Sequence, residues 1–369
     1  MLSVYYDFQV LFAQKYGGIS RYFFELISRL PQLGAEVSIN CLRNRNYYFA
    51  ERLGLTDMTG KNKIFRLAEL GTFWYANKLK TKIELSRKHF DIIHPTYYHV
   101  NYNKNSKRKL IHTVHDLVQE RYINQFPEIK RRIIAAKKKS VYSADRLIAV
   151  SEHTKKDMLE FFPDIAPEKI SVIYHGASMQ VQHDHHKNFS RMNGKDYILF
   201  VGLRGRYKNF NRFLKAMLEI MDKYKDLYLF CAGGGAFTDE ELKNFGGYSS
   251  RIYQAGLSDE ELADAYSNAL CFVFPSEYEG FGIPVLEAFA CNCPLVCSNA
   301  SSLPEIALDG AEYFDPLNID DIGAKILRVI ENKSLCKKIT SAGKERLKFF
   351  NWDKTAKETL ECYNMALKN

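Results

Sequence analysis

The chain has 369 residues, 46% hydrophobic and 26% charged, with a formal net charge of +9. That length exceeds one ordinary core and suits two α/β domains of roughly 150–200 residues each. The composition excludes a disordered, collagenous or repeat-built chain, and no apolar run reaches the roughly 18–20 residues a membrane span needs.

The opening MLSVYYDFQVLF has no basic n-region and no small-residue cleavage site, so it reads as a first strand and not a signal peptide, with a cytoplasmic protein expected. From there, SVYYDF, EVSINCL, DIIHPTYY, KLIHTVHD, RLIAVS and ISVIYHG read as strands, and GGISRYFFELISRL and EHTKKDMLEFF as helices. Gly17 and Gly18 form a turn between a strand and a helix, where the backbone can approach a ligand closely. In HTVHD, alternation puts His112 and His115 on opposite faces, with His115 at the strand's carboxyl end beside Asp116, which could orient it or cap the next segment. Ser151 reads as the N-cap of the helix that follows it.

Two basic clusters lie in this half: Lys104, Lys107, Arg108 and Lys109, and then Lys130, Arg131, Arg132, Lys137, Lys138 and Lys139. A solvated helix face explains them as well as a partner does. Anionic phospholipid is the favoured partner, at about 1 kcal/mol per basic residue near such a surface. No nucleic-acid motif accompanies the charge.

Met179 to Lys195 is polar and aperiodic, as a linker is; its His183, Asp184, His185 and His186 lack the rigid spacing of a metal site. The alternation then restarts with YILFVGL, LYLFCAGG, RIYQAG, CFVFPS, PLVCSN and AEYFDP as strands. The reading is two doubly wound domains in series, residues 1–180 and 195–353, with ligands beyond the carboxyl ends of the strands. The stripe Ala356, Leu360, Tyr363 and Leu367 in the last helix needs an apolar partner. The eight cysteines, Cys291, Cys293 and Cys297 among them, show no zinc spacing and read as reduced thiols.

The sharpest segment is PSEYEGFGIPVLEAFA, from Pro275 to Ala290. Glu279 and Glu287 flank GFGIPV, which opens a helix whose first amides point outward and can hold phosphate oxygens. Glu287 falls in the first turn, where a carboxylate can accept from vicinal hydroxyls. In VGLRGRYKN, Arg204 and Lys208 lie four apart after a strand and can balance a diphosphate's charge, with Arg206 the less favoured cation. AGGG, from Ala232 to Gly235, lacks the third glycine of a dinucleotide fingerprint and reads as a strand-to-helix turn. No Asp-x-Asp follows a strand, so no metal is expected at the diphosphate.

YEGFGIPVLEAFACNCPLV resembles the signature of glycosyltransferase family four, retaining transferases of GT-B fold, whose two Rossmann-like domains face each other across a cleft. GGISRY, HDL, AVSEHTKKDM, VGLRGRYKN, SSLPEIALDGAEYFDP and NWDKTAKETL extend the resemblance over nearly the whole chain. It implies a nucleotide-diphosphate sugar as donor, GDP-mannose-like or UDP-linked, and a glycan or lipid-linked acceptor of bacterial surface polysaccharide synthesis. The resemblance puts Glu279 on the sugar, Glu287 on the ribose, the amides of Phe281, Gly282 and Ile283 on the diphosphate or sugar, and Gly256 and Leu257 beside the base. His115 would contact the donor sugar or support the leaving group, and Gly17 and Gly18 would lie near the donor phosphate and the acceptor. It also sends the terminal helix, 354–369, back onto the first domain. One departure matters: Tyr207 stands where many members carry an arginine. Two alternative readings are a nucleotide-sugar epimerase on the same fold and a catalytically silent sugar-nucleotide or membrane-binding module.

Overall fold

A computed structural model describes the chain except for residues 40, 43, 54–62, 99–101, 103–107, 126–127, 180–188 and 369, and except for the side chains of 51–53, 63–70 and 128–130. Lys104, Lys107, the Lys130 side chain and the His183–His186 run therefore lie outside the described residues. The chain forms two compact units: Met1–Gly176 with Trp352–Asn369, and Ala177–Asn351.

The first unit is built on β1 (Leu2–Tyr6), β2 (Ala35–Ile39), β3 (Ile92–His94), β4 (Lys109–Val114), β5 (Arg146–Ala149) and β6 (Ile170–Val172), in the order β2-β1-β3-β4-β5-β6. The second has β7 (Tyr197–Val201), β8 (Tyr228–Ala232), β9 (Ile252–Ala255), β10 (Cys271–Phe274), β11 (Leu295–Ser298) and β12 (Ala311–Phe314), in the order β12-β11-β10-β7-β8-β9. All pairings are parallel. Runs such as YILFV and CFVF are apolar throughout because helices cover both faces of a parallel sheet. These are the twelve strands the alternation predicts.

The last helix, Trp352–Lys368, belongs to the first unit. Its Trp352, Ala356, Cys362, Tyr363 and Ala366 share one core with Val4, Tyr6, Ile92 and Ile111. Inside that core runs a chain of hydroxyls and an imidazole. Tyr6 and Tyr363 oxygens lie 2.6 Å apart, Tyr363 Oη is 2.7 Å from His94 Nδ1, and His94 Nε2 is 2.9 Å from Thr113 Oγ1. Each polar group placed in the core by this helix therefore has a partner.

The basic helix Glu128–Ser143 departs from the expected charged surface at one position. Lys137 is buried and donates to Glu120 Oε2 at 2.8 Å and to the Asp116 carbonyl at 3.0 Å, so it is an internal ion-pair residue. Arg131, Arg132, Lys138 and Lys139 are exposed. Among the described residues, no helix is long and apolar enough to cross a membrane.

Candidate donor site

Strand order in the second unit reverses at β7: β8 and β9 extend to one side, and β10, β11 and β12 to the other. The carboxyl ends of β7 and β10 flank that switch point, where open α/β sheets hold ligands. VGLRGRYKN leaves β7 and PSEYEGFG leaves β10, which explains why residues far apart in sequence meet here.

Lys208 Nζ donates to Glu279 Oε1 at 2.6 Å, with both side chains mostly buried. The ammonium also lies 5.7 Å from the Phe274 ring centroid. An ammonium has three donors, so the Glu279 bond leaves capacity for phosphate oxygens. The next residue, Asn209, locks both loops: its amide donates to the carbonyls of Pro275 at 3.1 Å and Pro316 at 2.7 Å.

The loop carrying Glu279 is held from below by two serines. Glu279 N donates to Ser301 Oγ at 2.8 Å, and Ser302 Oγ lies 2.9 Å from the carbonyl oxygens of Glu279 and Phe281. Phe281 packs edge-on against Phe350, 5.8 Å between centroids. Gly282 caps the helix Ile283–Ala290 at φ +100°, and a Cβ there would come within 2.8 Å of Leu303 Cδ2. Both conformation and space therefore demand glycine. Pro284 in the first turn needs no intrahelical donor. The helix thus presents its first amides beyond the sheet edge. Glu287 lies one turn into the helix and not in its first turn as expected, and it accepts from the buried Tyr266 hydroxyl at 3.1 Å, which fixes one carboxylate oxygen. Burial pushes the Tyr266 phenol well above its ordinary value, and Glu287 adds to the shift, so the hydroxyl stays a donor.

Arg204, expected to balance the diphosphate's charge, makes its contacts within the protein. Instead of a cation open to a diphosphate, it is a buried brace. Nε donates to Glu241 Oε1 at 2.6 Å, Nη1 to the Gly233 carbonyl at 3.1 Å, and Nη2 to the carbonyls of Gly235 and Ala236 at 2.9 and 3.0 Å. A guanidinium is a fixed fork of donors, and the left-handed turn Gly233–Gly235 offers it a ring of carbonyls. A Cβ on Gly234 would lie 2.5 Å from Arg204 Nη1. Gly256 and Leu257 follow β9 on the same sheet edge, leading into the capping box of Ser258 and Glu261.

In the first unit, Gly17 and Gly18 begin the helix Gly18–Arg29, and the Gly17 carbonyl accepts from Ser20 Oγ at 2.9 Å. His115 follows β4 and packs among Tyr22, Phe23 and His175, at centroid distances of 5.2, 5.9 and 6.0 Å. Its Nε2 is buried without a hydrogen-bond partner. Burial, with a smaller contribution from Lys137, lowers its pKa to about 3, so the ring is neutral. Ser151 Oγ caps the next helix, accepting from Thr154 N at 2.9 Å.

Glu241, Tyr266, Ser301 and Ser302 are the site residues that sequence reasoning did not single out. Only the serines lay in a quoted motif. Glu241 is visible as the acid of a capping box with Thr238, but nothing local shows that it also binds Arg204.

Residues 181–346 match the family model described as glycosyl transferases group 1, and residues 16–180 match that of glycosyltransferase family 4. The O-antigen chain mannosyltransferase B of Escherichia coli is 34% identical over 174 residues, covering 46% of each chain, so the match spans under half that relative's length. The O-antigen chain mannosyltransferase RfbU of Salmonella typhimurium is 27% identical over 81% of this chain and 83% of its own. Anabaena HepE, solved with UDP and glucose, superposes with a TM-score of 0.71 at 15% identity, covering 98% of both chains. With its tandem Rossmann-like units, the chain belongs to the group 1 glycosyltransferases of family four and has the GT-B fold.

Proposed function

We propose that this protein transfers a sugar, with retention, from a nucleotide-diphosphate donor to a hydroxyl of a glycan or lipid-linked acceptor in surface polysaccharide synthesis. Mannose from a GDP-mannose-like donor is the first choice, because the relatives above are named as mannosyltransferases. The observation that carries the reading is the Lys208–Glu279 pair beside the Gly282 helix start at the sheet's switch point.

The reaction breaks the bond between the anomeric carbon and the diphosphate oxygen, leaving charge on the departing diphosphate and on an oxocarbenium-like sugar. Lys208 and the amides at Phe281, Gly282 and Ile283 stabilise the former electrostatically. Glu279, already held by Lys208 and Ser301, orients the sugar. Glu287, held by Tyr266, accepts from ribose hydroxyls, and Gly256 and Leu257 flank the base. Arg204 contributes by setting the Gly233–Gly235 turn. His115, neutral and with an unpaired Nε2, serves turnover as a hydrogen-bonding group, and Gly17 and Gly18 give close backbone access. Because a cationic side chain and helix amides serve the diphosphate, the reaction is metal-independent.

The test is calorimetric titration with GDP and UDP, followed by product analysis with the matching nucleotide sugars and a hydroxyl acceptor. Micromolar binding and a product of retained anomeric configuration are expected. Epimerised nucleotide sugar without an acceptor, or no nucleotide binding, overturns the proposal.

A further inference from the structure

A histidine that works on a substrate needs a fixed ring, and a carboxylate on one ring nitrogen is a common way to fix it. For His115 the adjacent candidate is Asp116. Its Oδ1 instead accepts from Val118 N at 3.3 Å and caps the following segment. Among the described residues, His115 Nε2 is buried without a hydrogen-bond partner. The orientation of the ring is therefore a matter of packing.

Four rings from three distant segments supply it. Tyr22, on the helix Gly18–Arg29, meets His115 edge-on at 5.2 Å and 80°, and Phe23 meets it at 5.9 Å and 73°. His175, beyond β6, lies nearly parallel to it at 6.0 Å and 24°. Trp352, which opens the last helix, backs His175 at 5.7 Å and reaches Tyr22 at 6.2 Å. Two hydrogen bonds brace this box. The Tyr22 hydroxyl lies 3.1 Å from Thr113 Oγ1, and Thr355 Oγ1 donates to the Tyr174 carbonyl at 2.8 Å. The second bond ties the start of the last helix to the segment that carries His175. His175 and Trp352 are each 4% exposed, so neither ring is open to water.

Two imidazoles are a poor choice for a core that only has to be stable. Their polar atoms cost free energy when buried, and a phenyl or leucyl side chain fills such space without that cost. The arrangement suits a neutral imidazole that has to be kept at one angle. We propose that His175 and Trp352 are positioning residues for His115, with Trp352 backing His175 and His175 fixing the plane of the His115 ring against Tyr22. The last helix then acts on turnover through a residue that touches no substrate. The proposal rests on the reading of His115 given above, as a hydrogen-bonding group in transfer.

The test has a structural arm and a kinetic arm, both on the full chain. With histidine and tyrosine rings isotopically labelled, wild type should show nuclear Overhauser contacts between the His115 and Tyr22 rings, assigned with His115→Ala. Trp352→Leu and His175→Ala should weaken those contacts, and Trp352→Phe, which keeps a flat ring, should retain them. In transfer assays, Trp352→Leu and His175→Ala should lower kcat by about tenfold or more. Their nucleoside-diphosphate affinity should stay within about twofold of wild type, and Trp352→Phe should recover most of the rate. In a His115→Ala background, Trp352→Leu should cost little further kcat, because both changes act on one group. If Trp352→Leu fails to fold, His175→Ala decides. Unaltered Overhauser contacts in these variants overturn the proposal, as does wild-type kcat. Losses that simply multiply with that of His115→Ala also overturn it, since they mark a general folding effect. If wild type binds no nucleotide or transfers no sugar, the function proposed above fails, and the Overhauser arm still decides whether the box holds His115.

Discussion

Lys208 and Glu279, 71 residues apart in sequence, are joined by a 2.6 Å hydrogen bond, Lys208 Nζ donating, because their loops leave the adjacent strands β7 and β10. The pair joins the cation assigned to the diphosphate with the carboxylate assigned to the sugar. Each holds the other in place before a donor arrives, which is the preorganisation that electrostatic catalysis requires.

The two residues should nevertheless separate in kinetics. Lys208→Ala should weaken nucleoside-diphosphate binding by about tenfold or more, since it removes a charge-assisted contact. Glu279→Ala should lower turnover far more than nucleotide affinity, because its partner lies on the sugar. Calorimetry with the nucleotide, paired with kcat, checks this. Equal losses in both quantities for Glu279→Ala would make it a general binding or folding residue.

Glu287 and Tyr266 form a second testable pair. Glu287→Ala should cost nucleotide affinity by about tenfold, having removed the ribose acceptor. Tyr266→Phe should cost less, since it frees one carboxylate oxygen without removing it. Calorimetric affinity for GDP or UDP decides between them. A nucleoside diphosphate bound equally by wild type and Glu287→Ala would sink the ribose assignment.

The sheets, and the site's main chain, were legible from local signals. The twelve strands are short runs of three to six residues, most of them rich in apolar side chains, and Glu279, Gly282 and Glu287 stand together in one segment. What was not legible depends on contacts between distant segments. VGLRGRYKN offers three cations over five residues, and only the tertiary fold shows that Arg204 reaches the Gly233–Gly235 carbonyls and Glu241 while Lys208 reaches Glu279. In the same way, the run of lysines at 137–139 gives no sign that Lys137 alone turns inward to Glu120. On the helix Lys63–Arg87, the exposed Tyr75, Leu79 and Ile83 have the spacing of an ordinary buried face, so periodicity cannot tell which side meets water.

Arg204 therefore invites a stability measurement in place of a binding one. Arg204→Ala should leave Glu241 and three carbonyls without their donor, costing about 3–5 kcal/mol as broken buried pairs do. Arg204→Lys should recover little, since one ammonium cannot span that ring of acceptors. Urea unfolding of the three proteins reads this directly. Unchanged stability with lowered diphosphate affinity would instead make Arg204 a phosphate ligand.

If the diphosphate's charge is met by Lys208 and the helix amides, a strong chelator should leave transfer intact. Activity measured after exhaustive EDTA treatment, and again after adding magnesium or manganese, tests this. Loss on chelation with recovery on metal addition would show that this account of the diphosphate is incomplete.

The first unit should also lose stability on mild acidification. His94, His112, His115 and His175 are all held below the usual histidine value mainly by burial, His112 and His115 to about 3. In the unfolded chain each ring titrates near about 6.5. Between those values the unfolded state binds protons that the folded rings refuse, so stability is full above about pH 6.5 and falls as pH drops towards the folded values. Each such ring contributes up to about 1.4 kcal/mol per pH unit within that window. Most carboxylates titrate lower, but burial raises Glu120 and Glu358 in the same unit, so the histidine share of the slope from about pH 6.5 to about pH 5 is read by substitution. Urea unfolding across that interval should show a steep loss. His112→Gln, which removes one titrating ring beside Tyr98, should flatten the slope by roughly one ring's share even if it lowers stability at neutral pH. A slope unchanged by that substitution, or stability that rises on acidification, would mean that the rings carry protons in the folded protein and that burial does not govern their charge.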